Sequence, residues 1–539
     1  MQKRDRLRSK TSFGFKEYSV VSPGRQPVGA AFGGCKQTMI RNLLLFDYKT
    51  DYMSTTILDL APQQVWRQFH ALTQIPRPSG HTEQVTSFLV DFGKGLGLES
   101  FTDEVGNVII RKPATPGMEG RKGVILQAHM DMVPQKNNDT VHDFTKDPID
   151  AYVDGDWVKA RGTTLGADNG LGVAAILAVL EAKDLKHGPL EALITRDEET
   201  GMYGAFGLKP GTLKGEILLN LDSEEEGELY IGCAGGVDIT ATMEYKEQAP
   251  EEGWTARRLV LKGLRGGHSG LEINEGRANA NKLLARVIHD LLVEFNCQLA
   301  SFEGGNMRNA IPREASAILL FDPEDVDGLE DYIREYEAQI NAEYTPIESG
   351  LTLRMEAAEA PDTVVPVEIQ DNLIDTLMAC QDGVMRMIPT VPDTVETSSN
   401  LAIVLIGGGK AEYRILARSS SDTMKDYLAD CLTACFSMAG MKVEQSGSYS
   451  GWQPNVDSPI LHAMTKSYKE QFGTEAAVKV IHAGLECGII GANCPGLDMV
   501  SFGPTLRSPH SPDERAYIPS ASRFYDFLTA TLAQVPAKE

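Results

Sequence analysis

The chain is 539 residues long, with 51 Lys+Arg against 75 Asp+Glu and a formal net charge of −24. That length is too great for one compact core and predicts two or more domains. The acidic balance argues against a partner such as nucleic acid or an anionic membrane, since both need basic patches, and it suits a site that concentrates cations.

No apolar run approaches the roughly 18 residues of a membrane span, so no integral-membrane segment is expected. Eight cysteines with no C-x-x-C pair are too sparse for a disulfide scaffold, which predicts reduced thiols and a cytoplasmic protein. Residues 1–52 hold ten basic and four acidic residues, a local +6 that leaves −30 for residues 53–539. They read as an N-terminal extension, disordered or non-native, and the fold is taken to start near Met53. Val65, Phe69 and Leu72 then fall at helical spacing, and Pro76-Arg77-Pro78-Ser79-Gly80 reads as a turn.

Four short apolar runs follow, each reading as a buried strand that leads into a polar residue. Residues 123–128 lead into His129-Met130-Asp131, and residues 190–195 into Glu198-Glu199. Residues 216–221 end at Asp222, and residues 498–502 precede a loop with His510. Between the first two runs, Gly166-Ala167-Asp168-Asn169-Gly170 is a glycine turn opening an alanine-rich helix near 171–182. Residues 322–345 read as a solvated acidic helix face, and Cys431 and Cys435 as core positions of a later helix.

Helices alternating with these strands imply an α/β fold with a mainly parallel central sheet and helices on both faces. Sites in such sheets form beyond the carboxyl ends of the strands, where these His and acid residues gather. Taken singly, Asp168 also reads as a helix N-cap, Glu198 and Glu199 as an exposed turn, and Asp222 as part of an acidic run. His129 has a more specific use, because Asp131 can hold one imidazole nitrogen while the other binds metal.

Two ions about 3.5–4 Å apart need a shared ligand and terminal ligands on each. Asp168 is suited to bridge, His129 and Asp222 to complete one ion, and Glu199 and His510 the other. This mixed N/O set suits two Zn²⁺ per chain, with Co²⁺ or Mn²⁺ as substitutes. Glu198, beside a ligand but free to face a bridging hydroxide, is the candidate general base. A serine nucleophile elbow and a P-loop are both unsupported, since the spacing around Ser269 and Lys410 fits neither.

These motifs resemble the M20 metallopeptidases, and residues 126–136, 140–144, 233–236, 482–488 and 509–514 resemble the aminoacyl-histidine dipeptidase branch. The resemblance runs from about Met53 to the C-terminus. It implies a catalytic domain in two parts, 53–236 and 449–539, interrupted by an α+β lid domain at 237–448.

It also implies His268 as a lid residue polarising the scissile carbonyl, Asn309 as a substrate contact and Arg418 as the grip on a terminal carboxylate. Asn309 also reads as a turn residue and Arg418 as a surface cation. The stretch 482–488 departs from the wider family, which raises His482 and Glu486 as specificity residues; His482 reads equally as a buried structural histidine.

The implied function is hydrolysis of Xaa-His and other unblocked dipeptides, with small peptides as partners and a homodimer expected from relatives. The alternatives are an N-acyl amino acid deacylase of the same fold and a non-catalytic metal-dependent binding module. The second predicts a lost ligand or base, and the chain retains them all.

Overall fold

The computed structural model describes residues 56–538; the reading of residues 1–52, with Cys35, lies outside them. The predicted first helix forms at Gln63–Thr73 and buries Val65, Trp66, Phe69 and Leu72 on one face.

The four apolar runs become strands Leu190–Thr195, Val124–His129, Ile217–Asn220 and Asp498–Ser501, adjacent in that order in an eight-stranded sheet. All three pairings among them are parallel. Glu99–Thr102 and Val108–Lys112 add an antiparallel edge. Beyond Asp498–Ser501 lie Glu228–Cys233 and Ala477–Ile481, which pair with each other in parallel.

Alternation along a strand sends successive side chains to opposite faces. Val124, Leu126 and Ala128 enter one apolar core, while Ile125 enters a second on the other face. Helices cover both faces, as the α/β reading requires. The helix Ala167–Glu181 is buried at every residue from Asn169 to Leu180. A sequence apolar on all sides has no solvent face to offer, so it lies between the sheet and its covering helices.

A nine-stranded sheet, antiparallel in its pairings, has its own core. Helices Ala280–Glu294, Leu329–Tyr344, Val367–Ala379 and Asp422–Met438 contribute to that core. In Leu329–Tyr344 the residues Leu329, Ile333, Tyr336 and Ile340 are buried and Glu330, Asp331 and Glu335 are exposed, a solvated acidic face, while residues 322–328 of the expected stretch precede the helix.

Cys431 and Cys435 are not among the fully buried core residues, although Cys435 packs against them. Both are half-buried, because the buried stripe of their helix runs through Leu428, Leu432 and Phe436. Every cysteine of the described residues is unpaired.

The chain leaves the first sheet at Cys233 and enters the second at Gly235. It returns beside that point, where Tyr449 pairs with Gly236 and Trp452 bridges Cys233. A four-stranded sheet joins Ala151–Asp154, Trp157–Ala160, Arg515–Tyr517 and Leu506–Arg507. His510 stands in the loop of its last hairpin, closed where Arg507 pairs with Arg515.

Candidate metal centre

Four parallel strands in register bring their carboxyl ends to one edge, with His129 paired to Thr195 and Gln127 to Asn220. Glu198 and Glu199 follow Thr195 by three and four residues, and Asp222 follows Asn220 by two. Asp197 turns the chain there with a left-handed φ of 52°, a conformation that Asp tolerates because its side chain can bond locally. Its Oδ1 accepts the Gly80 N–H at 2.6 Å.

The side chains converge closely. His129 Nε2 lies 3.1 Å from Asp168 Oδ1 and 3.3 Å from Asp222 Oδ1. His510 Nε2 lies 3.1 Å from Asp168 Oδ2 and 2.9 Å from Glu199 Oε2. The two oxygens of Asp168 therefore face two different imidazoles. His129, Asp168 and Asp222 form one group able to hold an ion, and Asp168, Glu199 and His510 another. His129, Glu198 and Glu199 are a third such grouping.

Ligands about 2.0–2.1 Å from a tetrahedral ion sit roughly 3.3 Å from one another, close to the spacing seen here. Glu199 Oε1 and Asp222 Oδ1 are buried with no hydrogen-bond donor, as ligand oxygens would be. The donor set fits divalent ions.

Asp131 does more than face His129. Its Oδ1 is 3.3 Å from His129 Nδ1 and accepts the Glu198 N–H at 3.1 Å, while Oδ2 accepts the Ser79 hydroxyl at 2.7 Å and the Glu199 N–H at 3.3 Å. One carboxylate thus orients an imidazole and the Glu198-Glu199 turn together.

The electrostatics match a cage short of positive charge. Burial opposes protonation of His129, yet Asp222, Asp131 and Asp168 outweigh it and raise its pKa well above the usual imidazole value. Hydrogen bonds to Asp168 and Glu199 push His510 up to about 11. Burial raises Asp222 to about 6, and burial with neighbouring carboxylates raises Glu198 well above the ordinary range. Asp131 falls to about 2, because His129 and Ser79 overcome the opposing effect of its burial.

A match to peptidase family M20/M25/M40 spans residues 125–534. The chain belongs to this family. It is 47% identical over 479 residues, 89% of this chain and 99% of the relative, to the cytosol non-specific dipeptidase of Escherichia coli K12. Its fold matches the crystal structure of aminoacylhistidine dipeptidase from Vibrio alginolyticus with a TM-score of 0.86 at 46% identity, covering 90% of this chain and 99% of the other. Aminopeptidase PepT from Bacillus cereus matches with a TM-score of 0.52 at 15% identity over 88% and 99% of the two chains, a likeness of fold alone.

In this M20 chain, His129, Asp168, Glu198, Glu199, Asp222 and His510 all line one cavity of about 1290 Å³. Gly270, Leu271 and the 391–395 loop of the antiparallel-sheet region form part of its wall, and His482 also lines it. His268, Asn309, Arg418 and Glu486 do not lie on that wall.

Asn309 is exposed in a turn where its backbone carbonyl accepts the Ser269 N–H at 2.8 Å. Arg418 is buried rather than a surface cation, and donates to the Tyr449 hydroxyl at 3.1 Å. Glu486 differs from the expected specificity contact. Fully buried at the start of helix Glu486–Asn493, its Oε2 accepts from Gln127 Nε2 and Thr195 Oγ1, each at 2.6 Å, beneath the site floor.

His268 Nδ1 accepts N–H groups from Gly270 at 3.1 Å and Leu271 at 3.0 Å, so its hydrogen sits on Nε2. Burial and the nearby Arg418 lower its pKa to about 4, leaving a neutral N–H donor at pH 7. His482 Nε2 lies 2.7 Å from Ser398 Oγ on strand Val395–Gly407, linking the two sheets' regions.

Burial, followed by Arg418 and His268, lowers His482 to about 3. Between about pH 6.5 and that value, the unfolded chain binds a proton the folded one refuses, so stability is lost as pH falls through this window. His482→Gln is expected to narrow its stability deficit against wild type between pH 7 and pH 5. Urea unfolding at the two pH values checks this; an unchanged gap would refute it.

Two residues essential to this geometry were missed from sequence, Arg77 and Glu514. Arg77 stands in the predicted turn 76–80 and Glu514 ends the 509–514 stretch, and their partners lie 53–89 and 346–349 residues away. For Glu514 the available signal was its place four residues after His510; Arg77 has no candidate ligand near it in the sequence.

Proposed function

We propose that the chain is a di-zinc dipeptidase acting on Xaa-His and other unblocked dipeptides in the cytoplasm. The observation that carries this reading is Asp168, with one oxygen toward His129 and the other toward His510. His129, Asp222 and Asp168 would hold one ion, and Glu199, His510 and Asp168 the other, with Co²⁺ or Mn²⁺ able to substitute. Ions bound there would lower the pKa of a water and polarise the scissile carbonyl. The names of the two similar proteins, a cytosol non-specific dipeptidase and an aminoacylhistidine dipeptidase, support the substrate class.

Glu198, buried beside the ligands, takes the proton of the attacking water and returns it to the leaving amine. Asp131 keeps His129 and the Glu198 turn in place. His268 offers its Nε2–H to the oxygen that gains charge, and Arg418 meets the terminal carboxylate.

In this reading the antiparallel region, 237–448, is a lid on a catalytic domain made of 53–236 and 449–539. His268 and Arg418 reach the substrate when the lid closes. Small-angle scattering with a non-hydrolysable dipeptide analogue should show a more compact particle; unchanged scattering would count against closure.

The test of the activity is a substrate panel with zinc-loaded protein. β-Alanyl-histidine and other unblocked dipeptides should be cleaved, and N-acetyl amino acids should not. Deacylation without dipeptide cleavage would assign the chain to the other reaction, and no hydrolysis at all would leave a binding module.

A further inference from the structure

The turn that carries Asp168 is held from both sides by buried charges. Glu514, 2% exposed, accepts four consecutive backbone N–H groups. Its Oε2 takes those of Leu165 at 2.7 Å and Gly166 at 2.9 Å, and its Oε1 those of Ala167 at 2.7 Å and Asp168 at 3.2 Å. Burying a carboxylate this deeply is costly unless its lone pairs are met, and the four donors meet them.

From the other side Arg77 donates to the Gly166 carbonyl at 2.5 Å and to the carbonyls of Met130 and Asp131, both at 3.1 Å. The fit is tight enough to demand glycine. A Cβ on Gly166 or on Gly170 would stand 2.6 Å from Arg77 Nη2.

Glu514 is also part of the loop that carries His510. That loop is closed by the Arg507–Arg515 pairing and by the Glu514 N–H to the Ser511 carbonyl at 2.9 Å. His510 itself has a left-handed φ of 57°, a strained backbone for a residue with a Cβ, which persists only where its surroundings enforce it. His129, by contrast, ends a central strand, and Asp222 follows one closely. The first group therefore takes two of its three residues, His129 and Asp222, from the sheet edge, while the second takes two of its three, Asp168 and His510, from a turn and a loop joined through Glu514.

We propose that Glu514 is a positioning residue that couples the Asp168 turn to the His510 loop, so that the ion held by Asp168, Glu199 and His510 depends on it more than the other ion does. The inference rests on the reading of Asp168 as a shared ligand. Its support is the juxtaposition of one buried carboxylate, four N–H groups of the bridging turn and a ligand four residues earlier in the same loop.

The experiment is calorimetric titration of metal-free full-length protein with Zn²⁺, without substrate. Wild type should bind two ions. In Glu514→Gln the amide nitrogen faces two backbone N–H groups as a second donor, so one ion should bind as in wild type and the other about 10–100-fold more weakly. Glu514→Asp, which keeps the charge but not the reach, should show the same selective loss in smaller measure. Asp513→Asn, at the exposed neighbouring position, should bind both ions as wild type does.

Equal weakening of both ions, or no weakening, with folding verified by circular dichroism, would overturn the proposal. Failure of both Glu514 variants to fold would also overturn it, marking Glu514 as a residue of the fold alone. A wild type that binds fewer than two ions would instead refute the shared-ligand reading on which the inference rests, whatever the variants do.

Discussion

Glu198→Gln is expected to lower kcat on a dipeptide by about 10²–10⁴-fold while both ions stay bound. The substitution keeps the shape of the side chain and removes its ability to accept a proton. The two groups that include Asp168 do not require Glu198, so metal content by atomic absorption should match wild type. KM should change little, since substrate is gripped elsewhere in this mechanism.

Stability offers an independent readout. Burial raises the Glu198 pKa above its unfolded value, so this acid favours folding least at pH values above both. A neutral glutamine removes that penalty, and the metal-free variant should melt at or above the wild-type temperature. Residual turnover near wild type would remove Glu198 as the base; loss of an ion would make it a ligand instead.

The parts of the site that were legible in sequence are those set by local pattern. A strand buried on both faces must read as a continuous apolar run, and a polar residue at its end must then lie at the sheet edge. This pattern points to His129, Glu198, Glu199 and Asp222, the glycine turn before a helix to Asp168, and the loop after the fourth run to His510, and all six line one cavity.

What local pattern does not carry is the partner of a buried charge. Glu514 stands beside the exposed Asp513 in a polar stretch, and only the fold shows that its carboxylate meets backbone 346–349 residues away. Glu486 failed in the opposite direction. An acid at the first turn of a helix is ordinarily solvated, but this helix starts against the sheet, where Gln127 and Thr195 take the carboxylate. Arg418 lies in a stretch buried on both sides near the end of an antiparallel strand, and its partner Tyr449 stands 31 residues further along the chain.

Asp168→Ala is expected to abolish turnover and to cost the protein both ions, a larger change than any terminal ligand should give. Each Asp168 oxygen faces a different imidazole, so a single truncation takes one ligand from each group. The loss is separable from unfolding by melting with and without Zn²⁺. An ion that binds only the native state stabilises it by about 2.7 kcal/mol at a free concentration 100 times its Kd. Wild type should therefore melt higher as zinc is added, and Asp168→Ala should show little or no rise over the same range.

The metal-free variant should remain folded, because the turn's backbone N–H groups still meet Glu514 and its Gly166 carbonyl still meets Arg77. Asp168 also repels Asp222 across the site, so its removal lowers the Asp222 carboxyl from its raised value near 6 and offsets part of what is lost with the His129 contact. If Asp168→Ala kept one ion at wild-type affinity, Asp168 would be a terminal ligand of the other, and the two groups would be independent sites rather than one centre.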